Sequence, residues 1–235
     1  RMILAAKQEN CLHEILIIAS ALSLQDPRDR PFDHQAAADQ AQRRFVDERS
    51  DFMSYLKLWD FFDEQVKHKK STRKLIAQCR ELFLSYRRLR EWREIHGQLQ
   101  VLISEMGLKP NDIAAGYDEI HRALLAGLLG NIGFKTEKEG EYLGARGIKF
   151  AIFPGSTLKK GKTKWVVAAE LIETTKLYAR CVAQIDPNWL ERIAGNLCKR
   201  HCFDPHWEKK QAQVMAYEQM TLYGLMIVLK RPIHY

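Results

Sequence analysis

The sequence lacks a long apolar run, which excludes one class of protein at the start. No stretch of 18 or more apolar residues occurs among its 235 residues, whereas a membrane-spanning helix needs about 20. No secretory signal is recognisable either. The chain opens on Arg1 rather than Met, which predicts a fragment or a processed product. We expect no membrane partner.

Catalytic motifs are missing as well. The sequence contains no H-E-x-x-H zinc motif, no G-x-S-x-G nucleophile elbow and no G-x-G-x-x-G dinucleotide fingerprint. Carboxylate pairs such as Asp47-Glu48 lie in charged, surface-like contexts. We therefore predict that this chain is not itself an enzyme and has no cofactor of its own.

Cysteine is scarce. The chain has five cysteines at irregular spacing, an odd number that is typical of a reducing compartment and predicts the cytoplasm. Cys198, His201, Cys202 and His206 form the one metal-like cluster, since zinc accepts such ligands. We predict no metal, because the two cysteines are expected four apart on a helix and no second ligand pair accompanies them.

One stretch imitates a phosphate-binding P-loop. Gly155 to Thr163 reads GSTLKKGKT, but the P-loop pattern G-x-x-x-x-G-K-[ST] requires four residues between its glycines and a helix directly afterwards. Here five residues separate Gly155 from Gly161, and the following segment, Lys164 to Val167, favours a strand. We reject nucleotide binding at this loop.

The charge balance points to an acidic partner. Lys and Arg number 37 against 29 Asp and Glu, so the formal net charge is +8. An excess of this kind favours nucleic acid first and an anionic membrane surface second.

Helical periodicity dominates the first part of the chain. Apolar residues recur every three or four positions over about 11–24, 33–49, 51–62, 75–106 and 117–128. We predict a helical bundle whose core includes the aromatic stripe from Phe52 to Phe62, with Ser50 or Asp51 as the helix cap. Arg87, Arg88 and Arg90 outnumber the nearby acids on one helix face. That face is either solvated and ion-paired or a phosphate-binding surface.

The pattern changes after about residue 130, where glycines separate short runs with a period of two. Ile148 to Ile152, Trp165 to Val167 and Leu177 to Ile185 are predicted strands. A lysine-rich loop, Lys159 to Lys164, joins the first two. These features predict a small antiparallel barrel that binds a polyanion, with Trp165 in its core rather than on a stacking surface.

The end of the chain is less regular. A helix is predicted from Asp186 to about Lys199, and Tyr217 to Val228 reads as one or two strands broken by Gly224. The predicted fold class is α+β: a helical bundle, then a small antiparallel barrel, then a C-terminal extension.

Several segments, taken in order, resemble the helicase-associated region of DEAH-box RNA helicases. They span Cys11 to Leu190, and they are EILIIASALS, DP and RP at 26–27 and 30–31, AAADQA, FLSYRRL, FPGS, WVV with Glu170, TTK and IDPNWL. The tail from Pro205 to Gly224 resembles the bacterial HrpA-type branch. In the family's HPSS-type turn, Phe153 stands here in place of His and Gly155 in place of Ser.

The resemblance implies an accessory RNA-binding module of an ATP-dependent 3′-to-5′ RNA helicase. In this family a ratchet-like bundle and an OB-fold barrel follow two motor domains and a winged helix, and together they roof a channel for single-stranded RNA. ATP and Mg belong to the motor domains, which are absent here. The implied domains are 1–10, the end of a truncated winged helix; 11–132, the ratchet-like bundle; 133–200, the OB-fold barrel; and 201–235, a truncated C-terminal extension.

The expected RNA-binding residues are basic or hydroxylic. They are Arg87, Arg88 and Arg90 on the bundle, and Ser156, Thr157, Lys159, Lys160, Lys162, Lys164 and Lys176 on the barrel. The expected partners are single-stranded RNA and the motor and winged-helix domains of the parent chain. The alternative function is a protein-docking platform with little RNA affinity, which exposed Tyr and Trp side chains would suit.

Overall fold

The computed structural model describes residues 1–68, 71–160, 163–209 and 212–234. The chain divides into two compact units, Arg1–Gly127 and Leu128–Tyr235. The first is helical, and the second holds a barrel and a separate three-stranded sheet. The predicted fold class, a helical bundle followed by a small barrel and an extension, is therefore confirmed. In the described part of the chain no helix is both long and apolar enough to span a bilayer.

Seven α-helices form the described part of the helical unit, and the last of them ends one residue beyond it. They are α1 (Met2–Gln8), α2 (Leu12–Leu22), α3 (Gln35–Gln42), α4 (Asp51–Lys67), α5 (Thr72–Glu81), α6 (Tyr86–Glu105) and α7 (Tyr117–Leu128). Serine begins three of them, because the hydroxyl oxygens of Ser50, Ser71 and Ser85 each accept a hydrogen bond from the backbone N–H three residues later. The predicted cap at Ser50 is confirmed.

Helix α2 lies at the centre of this unit. It is apolar on nearly all sides, as a helix surrounded by protein must be, and it packs against α1, α4 and α6. The aromatic stripe of α4 faces the same core, and Phe52, Trp59 and Phe62 are all buried, as predicted. The two ends of the unit are joined through Arg122 of α7, whose Nε donates to Glu9 Oε2 at 2.8 Å.

Two of the predicted helices differ from the structure in extent. The segment 33–49 is α-helical only over α3, with short 3-10 turns at Phe32–His34 and Arg43–Phe45. The stripe predicted from 75 to 106 is interrupted between α5 and α6. There the backbone of 83–85 bonds to a distant loop, since Asp29 N donates to Phe83 O and Ser85 N donates to Pro27 O, each at 2.8 Å. These long-range bonds replace helical ones that the apolar period alone would predict.

Five strands close the barrel of the second unit in the order β1-β2-β3-β5-β4. They are β1 (Ile132–Lys135), β2 (Tyr142–Gly144), β3 (Lys149–Ile152), β4 (Trp165–Glu173) and β5 (Leu177–Gln184). Neighbours are antiparallel except for β3 and β5, which run parallel. Phe150 fills the barrel interior so closely that a Cβ on Gly133 would lie 2.3 Å from its ring, which explains the glycine there.

Two strand-level predictions for the barrel can be compared with the structure. Trp165 is 8% exposed and lies at the start of β4, which confirms its assignment to the core. Ile148 was predicted to be the first residue of the strand that ends at Ile152, and this is wrong. It precedes β3 and is 43% exposed, because the turn Ala145–Gly147, with Arg146 at a φ of 59°, ends the alternation there.

The C-terminal part departs most from the sequence prediction. Helix α8 (Asn188–Ala194) ends at Gly195, whose φ is 50°, and not at Lys199. The chain then forms an antiparallel sheet of β6 (Cys198–Glu208), β7 (Gln213–Leu222) and β8 (Leu225–His234), in the order β6-β7-β8. The sequence analysis missed β6 because its polar residues hide the period of two. The break at Gly224 is confirmed, with Tyr223 and Gly224 both at positive φ in the β7–β8 turn.

Candidate nucleic-acid interface

The lysine-rich loop is attached to the barrel through Leu158. That side chain is 2% exposed and belongs to the barrel core, while Ser156 Oγ accepts from Leu158 N at 3.2 Å. The turn Thr157–Lys160 is a short 3-10 helix. The structure therefore holds Ser156, Thr157 and the exposed Lys159 in one surface turn, which we call the basic turn. Gly161 and Lys162 lie outside the described residues.

The remaining barrel lysines of the predicted site are spread along β4. Lys164 is exposed directly before the strand, and Lys176 is exposed in the β4–β5 hairpin at its other end. A strand of nine residues separates them, which corresponds to about 30 Å. The structure does not bring these two lysines together. The loop is followed by strand β4 and not by a helix, as the rejection of a P-loop predicted.

An exposed aromatic and cationic cluster lies beside the basic turn, and sequence reasoning did not single it out. Phe153 is 39% exposed, and the Tyr178 ring meets its ring edge-on with centroids 6.0 Å apart. Arg180 Cζ lies 5.5 Å from the Phe153 centroid. The guanidinium of Arg180 also approaches Glu170 at 3.5 Å. We call Phe153, Tyr178 and Arg180 the barrel cluster.

The barrel cluster and the basic turn are continuous along the chain and in space. Phe153 N donates to Ala179 O on β5, and Ser156 N donates back to Phe153 O, both at 3.0 Å. The first bond fixes Phe153 between Tyr178 and Arg180, and the second starts the basic turn. The sequence contained one signal for this cluster, namely the phenylalanine that replaces histidine in the family's turn.

The three arginines of α6 that were predicted to bind RNA differ in the contacts that they make. Arg88 Nη1 donates to Asp29 Oδ1 at 2.7 Å and to Asp26 O at 3.1 Å, so this side chain ties α6 to the loop after α2. Arg90 pairs with Glu94 at 3.0 Å, one turn along the helix. Arg87 is exposed and has no ion pair among the described residues. The ion-paired interpretation of this face therefore holds for Arg90, while Arg87 keeps its charge available.

The four residues of the metal-like cluster lie on one strand, β6, but on opposite faces of it. Cys198 and Cys202 were predicted on a helix, which is wrong, because both lie on β6. Cys202 is opposite the buried Glu218, whereas His201 is opposite Gln219 and projects from the other face. Alternation along a strand thus separates the thiols from the imidazoles. Within the described ranges no group of three or more His, Cys, Asp or Glu side chains could hold a metal ion.

Comparisons with known proteins agree with this architecture. Residues 120–197 match the family described as an oligonucleotide/oligosaccharide-binding (OB) fold, and residues 1–55 match the helicase associated domain described as ratchet-like. The whole chain is 48% identical to part of the ATP-dependent RNA helicase HrpA of Escherichia coli and to part of its homolog in Haemophilus influenzae. The chain spans 18% of the length of each of these curated relatives.

Proposed function

We propose that this chain is the accessory RNA-binding module of an ATP-dependent 3′-to-5′ DEAH-box helicase of the HrpA type. The proposal is supported by 48% identity over the whole chain to part of two HrpA helicases and by the matches to helicase-associated and OB-fold families. It lines the channel for single-stranded RNA beside the motor and winged-helix domains of the parent chain. ATP and Mg are bound by those motor domains. The cysteine count and spacing support the cytoplasm as the compartment.

The barrel cluster is the observation that carries this proposal. OB folds bind single strands through a basic groove and through aromatic rings on which bases stack. Phe153 offers an exposed ring, Arg180 lies over that ring, and Lys159 stands in the adjoining turn. Lys176 occupies the β4–β5 loop, which is one of the loops that OB folds use for oligonucleotides. A base would stack on Phe153 while the neighbouring phosphates contact the cations.

The helical unit contributes Arg87 in this proposal. Its guanidinium can take a phosphate through two parallel hydrogen bonds. Arg88 and Arg90 would first have to exchange their carboxylate partners, Asp29 and Glu94, for a phosphate. We therefore assign Arg87 the larger share of RNA binding on this helix face.

Removing the positive charge of the basic loop is expected to weaken the salt dependence of RNA binding. Each phosphate contact on a single strand adds about −0.7 to the slope of log affinity against log salt. A variant with Lys159, Lys160, Lys162 and Lys164 changed to Gln should therefore flatten that slope by up to about 3. The loss should be similar for every RNA sequence, because phosphate contacts do not read bases. Fluorescence anisotropy with labelled single-stranded RNA over a salt series measures it.

A matched variant separates a specific surface from net charge. Changing Lys7, Lys57, Lys67 and Lys109 to Gln removes the same charge from the helical unit, where Lys57 and Lys67 already pair with aspartates. Its salt slope should stay close to that of the parent. If the two variants behave alike, the loop is an ordinary solvated turn. A parent protein that binds no RNA would instead favour the protein-docking platform.

The chain on its own is expected neither to bind nor to hydrolyse ATP. The segment from Gly155 to Thr163 has the wrong spacing for a P-loop and leads into strand β4, so no helix N-terminus faces a phosphate. Isothermal titration calorimetry with ATP and Mg should give no binding heat. Micromolar binding that is lost when Lys162 is changed to Ala would contradict this prediction.

A further inference from the structure

The sheet formed by β6, β7 and β8 lies outside both matched family ranges. The OB-fold match ends at residue 197 and the helicase-associated match at residue 55, whereas β6 begins at Cys198. The sheet is nevertheless firmly built into the second unit. Arg231 contacts Glu191 of α8 with its Nη1 at 2.8 Å from Oε2, and it also contacts Glu218 of β7. This sheet therefore carries a surface to which neither match assigns a role.

One face of the sheet is covered. Along β7 the alternate residues Ala216, Glu218, Met220 and Leu222 are each at most 3% exposed. Glu218 on this face pairs with Arg200 and Arg231, which also pair with Glu191. The covered face therefore turns towards α8, and the residues between these positions form the outer face.

The outer face carries a continuous row of rings. Phe203 lies directly opposite Tyr217 in the β6–β7 pair, with centroids 6.0 Å apart. His201 stacks next to Phe203 at 6.2 Å and 12°, and His206 lies 5.4 Å from Tyr217. We call His201, Phe203, His206 and Tyr217 the sheet platform.

A bulge in β6 makes this row continuous. Between the Phe203–Tyr217 pair and the His206–Met215 pair, β6 has two residues, Asp204 and Pro205, where β7 has one, so β6 carries one extra residue. Asp204 has a φ of 53°. The bulge turns His206 towards Tyr217, a position that a regular strand would give to Pro205. The backbone thus departs from regular pairing at the point where the fourth ring joins the row.

Positive charge accompanies the rings. Lys230 Nζ lies 3.7 Å from the centroid of Tyr217, and Lys199 is exposed further along the outer face, opposite Thr221. Residues 198–234 contain six Lys and Arg against three Asp and Glu. Glu218 is buried on the covered face, where it pairs with Arg200 and Arg231. Lys199 and Lys230 therefore lie on the outer face, together with the acid Glu208, which is opposite Gln213. The outer face is therefore both aromatic and cationic.

We propose that the sheet platform is a second binding surface for single-stranded RNA, on which bases stack against Phe203 and Tyr217 while Lys230 and Lys199 meet the phosphates. The proposal rests on the RNA-binding function proposed above and adds a site to it. The four-stranded sheet of RNA-recognition motifs binds single-stranded RNA by stacking two or three bases on its aromatic rings. The rings of Phe203 and Tyr217 are half-buried, so part of each stays accessible to a base. The cations favour a polyanion as the occupant over an apolar or basic protein surface.

Stacking and phosphate contact differ in what they require of the RNA. Stacking needs a base, whereas phosphate contact needs only the backbone. Loss of the platform should therefore weaken binding of an oligonucleotide with bases and leave binding of an abasic oligonucleotide of the same length unchanged. The lysine variant of the basic loop should weaken both equally, so the two sites can be told apart.

The experiment replaces Phe203 and Tyr217 by valine in the full chain, since valine keeps a high strand propensity and removes the rings. Labelled oligouridine and its abasic counterpart are titrated by anisotropy at one salt concentration. We expect at least about a tenfold loss of affinity for oligouridine, the effect of losing one stacked base, and no change for the abasic strand. Trp207→Val is the matched control, because Trp207 is 59% exposed and projects from the opposite face of β6.

If the double variant does not fold, a measurement on the unaltered protein still tests the proposal. Photocrosslinking of oligo(4-thiouridine), followed by mass spectrometry, should label peptides that contain Phe203 or Tyr217. Labels confined to the barrel, or a double variant that keeps the parent affinity, would overturn this proposal and leave the RNA-binding function standing. Failure of the parent to bind any RNA would overturn both.

Discussion

Replacing Trp92 by alanine is expected to lower the stability of the helical unit by about 3–5 kcal/mol, the range for deleting a buried tryptophan. Trp92 is 1% exposed, and its ring packs against Trp59 with centroids 5.1 Å apart. Its Nε1 donates to Ile17 O at 3.0 Å and to Ser20 Oγ at 2.9 Å. One side chain thus joins α2, α4 and α6. Urea denaturation followed by the helical circular-dichroism signal measures the loss.

Trp92→Phe separates the packing of the ring from its hydrogen bonds. Phenylalanine keeps an aromatic ring against Trp59 but cannot donate, and we expect a loss of about 1–2 kcal/mol. The smaller value is favoured because Ser20 Oγ still donates to Leu16 O at 2.8 Å. If alanine and phenylalanine cost the same, the junction of the three helices does not depend on the ring.

The helical unit is also expected to lose stability as the pH falls from about 6.5 to about 4. Burial lowers the pKa of His96 and of His121 from 6.5 to about 4 in each case. His96 is packed against Trp59, with centroids 4.4 Å apart, and its Nε2 has no hydrogen-bond partner among the described residues. A proton on this ring would be buried without an acceptor.

Burial is the main cause of the lowered pKa of His121, and the bond to Tyr117 opposes it in part. The hydrogen bonds of the ring define its neutral tautomer. Its Nδ1 lies 2.6 Å from the Tyr117 carbonyl oxygen, which can only accept, so Nδ1 carries the proton. Its Nε2 therefore accepts from the Ser50 hydroxyl at 2.7 Å. Tyr117 stacks on the imidazole at 3.8 Å, and Arg49 lies over the tyrosine ring. Protonation would turn the acceptor Nε2 into a donor, so the Ser50 hydroxyl would have to change from donor to acceptor.

The sign follows from the lowered pKa values. Between pH 6.5 and 4 the unfolded chain binds protons that the folded chain does not, so the stabilising effect is complete above 6.5 and is lost as the pH falls. A pKa lowered from 6.5 to about 4 corresponds to about 3 kcal/mol of folding stability for each histidine, as an upper bound. Asp60 opposes the trend, because burial raises its pKa. Denaturation midpoints at a series of pH values measure the sum.

The variant His96→Phe isolates one histidine from the other titrating groups. It keeps a ring against Trp59 and removes the titration, so stability should fall less steeply below pH 6.5 than in the parent, while Asp60 contributes equally to both proteins. Measurement near neutral pH is the internal control, because a difference there reports packing alone. Parallel pH profiles for parent and variant would show that His96 does not account for the acid sensitivity.

Local pattern was sufficient for the main elements of this fold. The apolar period of three and four placed α2, α4 and α7, and the predicted cap at Ser50 marked where α4 begins. The period of two and the flanking glycines placed β4 and β5. These signals are readable because each depends on residues within one or two turns of each other. The ordered family motifs then implied an OB fold, which the match over residues 120–197 supports.

The candidate site could be predicted only in part, because some of its contacts join residues that are far apart in the sequence. The basic loop was visible as a run of lysines, but the use of each arginine on α6 was not. Whether Arg88 is available depends on Asp29, which lies 59 positions earlier and reaches it only after the chain has folded. The barrel cluster likewise needs a bond between Phe153 and β5, and no local pattern predicts that pairing.

Composition and period determined that this chain is a helical bundle followed by a small barrel with an excess of positive charge. Tertiary structure decided where α5 and α6 separate, which cations remain unpaired, and that His201, Phe203, His206 and Tyr217 share one face of a sheet. A local pattern records which side of an element is buried. Partners far apart in sequence are chosen by hydrogen bonds and packing that exist only when the whole core has closed.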